Sequence, residues 1–153
     1  MTGNRIGRLE AVCTSERKGM PKKDRGAGLL RVDWGLEGDA HAGNWHRQVS
    51  LLALESIAKM QAQGLKVRPG SFAENLTTSG LVLHTLPVGT RMTVGTTLVE
   101  VTQIGKECHD HCAIYKLAGD CVMPREGIFV KVLEGGEIRV GDTIEVLDGD
   151  VEG

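Results

Sequence analysis

Twenty-one glycines among 153 residues, against an aromatic fraction of only 3%, constrain the fold more than any other feature of this sequence. Glycine stands at about 14%, roughly twice its average use. It is scattered between short apolar runs and forms no low-complexity tract. Many glycines in that arrangement mean many tight turns joining short elements, the signature of a β-rich chain. The length fits one domain with one core and argues against a two-domain enzyme carrying its own dinucleotide-binding module. Hydrophobic residues at 41% and charged residues at 25% are ordinary for a globular protein and argue against disorder.

Charge and composition exclude several partners. The net charge of −2 offers no basic field to neutralise a nucleic-acid backbone. Trp34, Trp45, Phe72, Tyr115 and Phe129 are too dispersed to stack bases, so no nucleic-acid partner is expected. The longest apolar run, Val49 to Leu54 with Ser50 inside it, is far short of the ~20 residues of a spanning helix, so no membrane partner is expected either. Met1 to Gly19 carries no export pattern, which points to a cytoplasmic protein. In a reducing compartment Cys13, Cys108, Cys112 and Cys121 favour metal, sulfur or catalytic roles over a disulfide frame.

Along the chain, Arg5 to Cys13 alternates as a first strand would. Ser15 to Gly28, basic and without apolar period, is expected to be an exposed, mobile loop. Leu29 to Asp33 reads as a short strand, Gly35 to Gly43 as a structured turn, and Gln48 to Ala53 as a buried strand. Glu55 to Gln63 has the apolar spacing of a helix, stopped at Gly64. Leu81 to Leu83, Arg91 to Val94, Thr97 to Gln103, Ile128 to Leu133 and Thr143 to Leu147 read as further strands. The stretches beginning Val94-Gly95 and Val140-Gly141 echo each other in the grammar of a hairpin. Many short strands, one substantial helix and no βα alternation imply a mostly β single domain over residues 1–153. Its core would span about residues 5–147 as a barrel or closed meander with one or two flanking helices.

Three constellations could carry chemistry. Lys106, Cys108, His109, His111 and Cys112 follow the strand ending at Gln103, with Cys121 beyond. Soft ligands this close suit a thiophilic metal, and the neighbouring cations favour a reactive thiolate. The plainer alternative is one important thiol among buried small hydrophobes. The turn holding Gly38, Asp39 and His41, followed by His46 and Arg47, lets backbone approach a ligand closely, and its successive N–H groups could form an anion nest. Asp39 could equally cap its own turn, and Arg47 could be a surface residue paired with Glu37. The third constellation, Glu74 and Asn75 between Phe72 and Leu76, places polar groups on anchored backbone.

Taken in order, GLEGDAHAG, RQVSLLALE, GSFAENLTTSGL, LPVGTRMTVGTTLVEVTQIGKEC and GIFVKVLEGGEIRVGDTIEV resemble the MOSC domain family, named for the C-terminal part of molybdenum cofactor sulfurase, from Arg5 to Val146. The resemblance implies a barrel of the pyruvate-kinase type and binding or handling of a pyranopterin molybdenum or tungsten cofactor. It also implies a cysteine acting as persulfide carrier or metal ligand. By it, Cys108 matches the family thiol and Cys112 competes. Gly38, Asp39 and His41 match the GD-x-H turn; Arg47 and Ser50 match R-x-VSLL; Glu74 and Asn75 match ENL; Lys106 precedes the thiol. Implied partners are molybdenum or tungsten enzymes, cofactor-synthesis proteins, and a cysteine desulfurase as sulfur donor. Other activities in view are sulfur transfer, reduction of N-hydroxylated compounds with an external electron donor, and a Cys/His metal-binding module. The barrel that accompanies this domain in the larger reductases is missing from this sequence.

Overall fold

The computed structural model describes residues 5–18, 20–105 and 123–147. Lys106, Cys108, Cys112 and Cys121, with the intervening histidines, lie outside the described residues. The strands are β1 (Ile6–Thr14), β2 (Lys23–Asp24), β3 (Ala27–Arg31), β4 (Gly35–Leu36), β5 (Val49–Ala53), β6 (Leu76–Ser79), β7 (Arg91–Val94), β8 (Thr97–Ile104), β9 (Ile128–Glu134), β10 (Gly136–Arg139) and β11 (Thr143–Val146). Helix α1 covers Leu54–Gln61 and the short α2 Met123–Glu126.

The main sheet runs β11-β7-β8-β9-β5-β6-β1-β2, and β11 also pairs with β1, closing seven strands into a barrel. Closure sets Ile6 opposite Glu145 and Arg8 opposite Thr143. The β5–β6 pair is parallel while the other barrel pairs are antiparallel, so the chain between them must cross over. Helix α1 begins that crossover. A second sheet, β10-β3-β4, packs beside the barrel.

Strand β5 is buried along its whole length because both of its faces are covered. Val49 and Leu51 face the barrel core with Leu9, Leu76, Val101 and Ile144. Leu52 joins a second cluster with Ile57, Met60, Phe72 and Phe129 beneath α1. Helix α1 buries Ser56, Ile57 and Met60 on one stripe, carries Glu55 in its first turn and Lys59 in its last, and ends before Gly64, whose φ is +91°.

Three differences from the sequence reading have physical causes. The strand after the crossover is Leu76–Ser79, and Leu83–Thr85 is a 3-10 turn. Thr77 and Thr78 are buried in that strand although polar, because their neighbours are barrel strands. The echoed segments also diverge. Gly95 (φ +60°) turns β7 into β8 as a true hairpin, whereas β10 pairs with β3 and β11 with β7 and β1. The Gly141 turn docks on the first strand instead, through Gly141 N–H to Leu9 O at 2.8 Å and Leu9 N–H to Asp142 O at 2.9 Å.

The third difference concerns 15–28, expected to be exposed throughout. Ser15 and Lys22 are buried, and β2 and the start of β3 fall inside the segment. Lys22 turns inward because a carboxylate from a distant turn waits there, as the site geometry shows.

Candidate functional site

Asp39 has its side chain fully buried, and the Lys22 ammonium meets Oδ1 at 2.7 Å. Oδ1 also accepts from Ser15 N–H at 3.1 Å, and Oδ2 from His41 N–H at 3.0 Å. Burial pushes the Asp39 carboxyl up, but hydrogen bonds from Lys22, Asn75 and the His41 N–H, together with the Lys22 charge, outweigh it and hold the group below its ordinary value. Lys22 Nζ further contacts Ser15 Oγ at 3.0 Å and His41 Nδ1 at 2.9 Å. The sequence reading missed Lys22, which lies in a run of basic residues indistinguishable from a solvated surface.

The glycine-rich turn uses its amides internally. Glu37, Asp39, Ala40, Ala42 and Gly43 N–H groups donate to the carbonyls of Leu29, Leu36, Ser15, Asp39 and Trp34, and His41 N–H to Asp39. The expected anion nest is therefore not formed by these amides, because folding the turn already engages them. Gly38 has φ +84° with open space where a Cβ would stand.

Arg47 does not pair with Glu37, which meets Arg31 at 3.1 Å. Its Nε donates to Gln103 Oε1 at 3.1 Å, and its guanidinium lies 5.3 Å above the Phe129 ring. His46 Nε2 contacts the same Gln103 oxygen at 2.9 Å, while the Gln103 amide nitrogen donates to Gly105 O at 2.8 Å. Gly105 N–H in turn reaches Gly127 O at 2.6 Å. The chain thus leaves β8 toward Cys108 and returns to β9 through one hydrogen-bonded base, beside Arg47 and His46. On the return side Glu126 accepts from Ser56 Oγ at 2.5 Å and Lys59 Nζ at 2.8 Å, tying α2 to α1.

Ser50, Glu74 and Asn75 are buried and bonded within the protein. Asn75 Oδ1 accepts from Ser50 N–H at 3.0 Å, and Asn75 Nδ2 donates to Cys13 O at 3.1 Å, stitching β5 to β1. Glu74 accepts from Gly70 N–H at 2.7 Å, Phe72 N–H at 3.2 Å and Thr77 Oγ1 at 3.0 Å. Burial raises its carboxyl above the ordinary value in spite of these donors. The loop it organises braces Lys22, whose N–H donates to Gly70 O at 2.8 Å.

Cys13 is fully buried in β1, and burial, reinforced by the Glu74 and Asp24 carboxylates, pushes its thiol up to about 12. A thiol so protonated and enclosed is inert. Native protein treated with an alkylating reagent at neutral pH is expected to leave Cys13 unmodified and to label it only after denaturation, as peptide mass mapping would show.

Among the described residues no group of three or more His, Cys, Asp or Glu side chains is placed to hold a metal ion. Among them, too, no helix is long and apolar enough to cross a membrane.

The family model described as MOSC domain matches residues 38–145. No curated protein matches the sequence. Among solved structures, the YUAD protein from Bacillus subtilis superposes with a TM-score of 0.78 at 18% identity, over 95% of this chain and 97% of that one. YiiM from Geobacillus stearothermophilus gives 0.69 at 18% identity over 93% and 75%. YiiM from Escherichia coli gives 0.65 at 20% identity over 95% and 72%. At these identities the three structures establish the barrel fold.

Proposed function

The chain belongs to the MOSC domain family, and from that premise we propose that it binds a pyranopterin molybdenum or tungsten cofactor and carries sulfur for it on a cysteine. The observation that supports this most is the Gln103 junction. One side chain joins Arg47 and His46 to Gly105, the residue from which the chain runs to Cys108. A cation therefore stands at the end of the strand that precedes Cys108 in the sequence.

The donor set fits an anionic group. Among the described residues the Arg47 guanidinium forms no ion pair with a carboxylate, and its one hydrogen bond there uses Nε. The rest of its planar fork suits phosphate oxygens. Arg47 and His41 would hold the anionic end of the cofactor, with Gly38 admitting close approach. When bound, the cofactor supplies a redox-active metal centre. In the proposed sulfur transfer, the Cys108 thiolate attacks the terminal sulfur of a donor persulfide on a cysteine desulfurase. A sulfur–sulfur bond forms on Cys108 and the donor cysteine leaves as thiolate. Lys106 favours the thiolate in this reading, and Cys112 is the competing thiol. Molybdenum or tungsten enzymes and cofactor-synthesis proteins are the proposed acceptors, in the cytoplasm.

Two measurements test this reading. Titration with isolated cofactor is expected to show weaker binding in Arg47→Lys and weaker still in Arg47→Ala, with wild-type affinity falling as salt rises. Unchanged affinity in Arg47→Ala would remove this residue from the site. After incubation with a desulfurase and cysteine, the peptide containing Cys108 is expected to gain the mass of one sulfur atom. Cys13→Ser should retain that gain and Cys108→Ser lose it; equal loading in Cys108→Ser would move the role to Cys112 or Cys121.

A further inference from the structure

Two nitrogens 2.9 Å apart, Lys22 Nζ and His41 Nδ1, must share one hydrogen, so one of them accepts. Lys22 cannot be the acceptor. Its Nζ lies 2.7 Å from the Asp39 carboxylate and 3.0 Å from Ser15 Oγ, in a side chain with 0% exposure. An ammonium has three hydrogens and no lone pair, and here it has three partners. Nδ1 of His41 is therefore the acceptor, and the single proton of the neutral ring sits on Nε2. The backbone around the ring is held as well. His41 N–H donates to Asp39 Oδ2 at 3.0 Å, and its carbonyl accepts from Trp45 Nε1 at 2.9 Å.

We propose that Lys22 is a positioning residue that locks His41 as the neutral Nε2–H tautomer, making this histidine a hydrogen-bond donor to an oxyanion. The lone pair of Nδ1 is engaged by Lys22, and Nε2 offers none until it loses its proton. The ring so held suits a phosphate or other oxyanion and does not suit a metal cation. The ligand's place in the site rests on the function proposed above, whereas the tautomer is a property of the ligand-free protein, so the two can fail separately.

The test is a long-range proton–nitrogen correlation spectrum of the histidine rings in ligand-free, nitrogen-15-labelled protein at neutral pH, with His41 assigned by its loss in His41→Gln. A pyridine-type shift at Nδ1 with a pyrrole-type shift at Nε2 is expected. The reverse pattern, an average of the two, or an imidazolium pattern overturns the lock. Lys22→Met combined with Asp39→Asn removes both buried charges together, so neither is left uncompensated. In that variant His41 is expected to move to an average of both tautomers while the His84 signals stay put; a retained Nε2–H pattern in the folded variant overturns the role of Lys22. Inorganic phosphate added to wild type is expected to shift the His41 Nε2–H resonance. No shift, with the tautomer intact, would overturn the anion-binding reading of the site and leave the lock standing.

Discussion

Replacing Lys22 by Met is expected to lower the unfolding free energy by about 3–5 kcal/mol, the usual cost of leaving one partner of a buried ion pair alone. The pair is enclosed on both sides, with 0% exposure of either side chain at 2.7 Å. The Arg31–Glu37 pair, 60% and 52% exposed, is the internal control, and its removal should change stability by less than about 1 kcal/mol. The pH dependence carries the sign. In wild type the Asp39 carboxyl titrates below its ordinary value. Its contribution is therefore complete above the unfolded pKa and is lost as pH falls through the lower folded value. In Lys22→Met burial acts on Asp39 without the ammonium, so the folded pKa moves up toward or past the unfolded one. The loss of stability on moderate acidification should therefore shrink in that variant relative to wild type. Urea unfolding of both proteins across the acidic range checks the prediction, and parallel pH profiles would contradict it.

Gly70→Ala should be comparably damaging, at about 3 kcal/mol or more, from backbone strain together with disrupted buried hydrogen bonds. Gly70 has φ +92°, and a Cβ there would stand 2.1 Å from the carbonyl oxygen of Lys22. That contact is to backbone, so relief requires moving the loop. Movement breaks the bond from Lys22 N–H to Gly70 O and the one from Gly70 N–H to Glu74. Gly38→Ala separates the two costs, since Gly38 also has positive φ but open space at the Cβ position. It should lose only the left-handed penalty, about 1–2 kcal/mol. Denaturant midpoints at unchanged slope measure both, and equal losses would show that the Lys22 contact is not what makes Gly70 necessary.

What could be read in the sequence follows from how local each signal is. Strands β5, β7, β8, β9 and β11 declare themselves because apolar alternation or continuous burial is written in consecutive residues. Strand β6 does not, since Leu-Thr-Thr-Ser lacks an apolar face and is buried by barrel position. Asp39, His41 and Arg47 stood out through their company in the chain. Lys22 could not, because its partner lies 17 residues away across a turn and nothing in SERKGMPKKDRGAG marks one lysine as inward. A lone aspartate in a glycine-dense turn after a basic run was the available signal. The roles of Glu74 and Asn75 were hidden for the related reason that their partners come from four different segments.

The seam between β1 and β11 governs the order in which the barrel can be assembled. Ile6 meets Glu145 there, roughly 140 residues away along the chain, so this contact carries a large loop-closure entropy and cannot nucleate folding. Until it forms, the barrel exists as a curled sheet with two open edges, which can pair with another molecule. Refolding is thus expected to populate this unsealed sheet, with the β7–β8 hairpin protected early from amide exchange and Gly7 and Ile144 protected last. The step that removes the last sheet edge is also the one most exposed to competition from neighbouring chains.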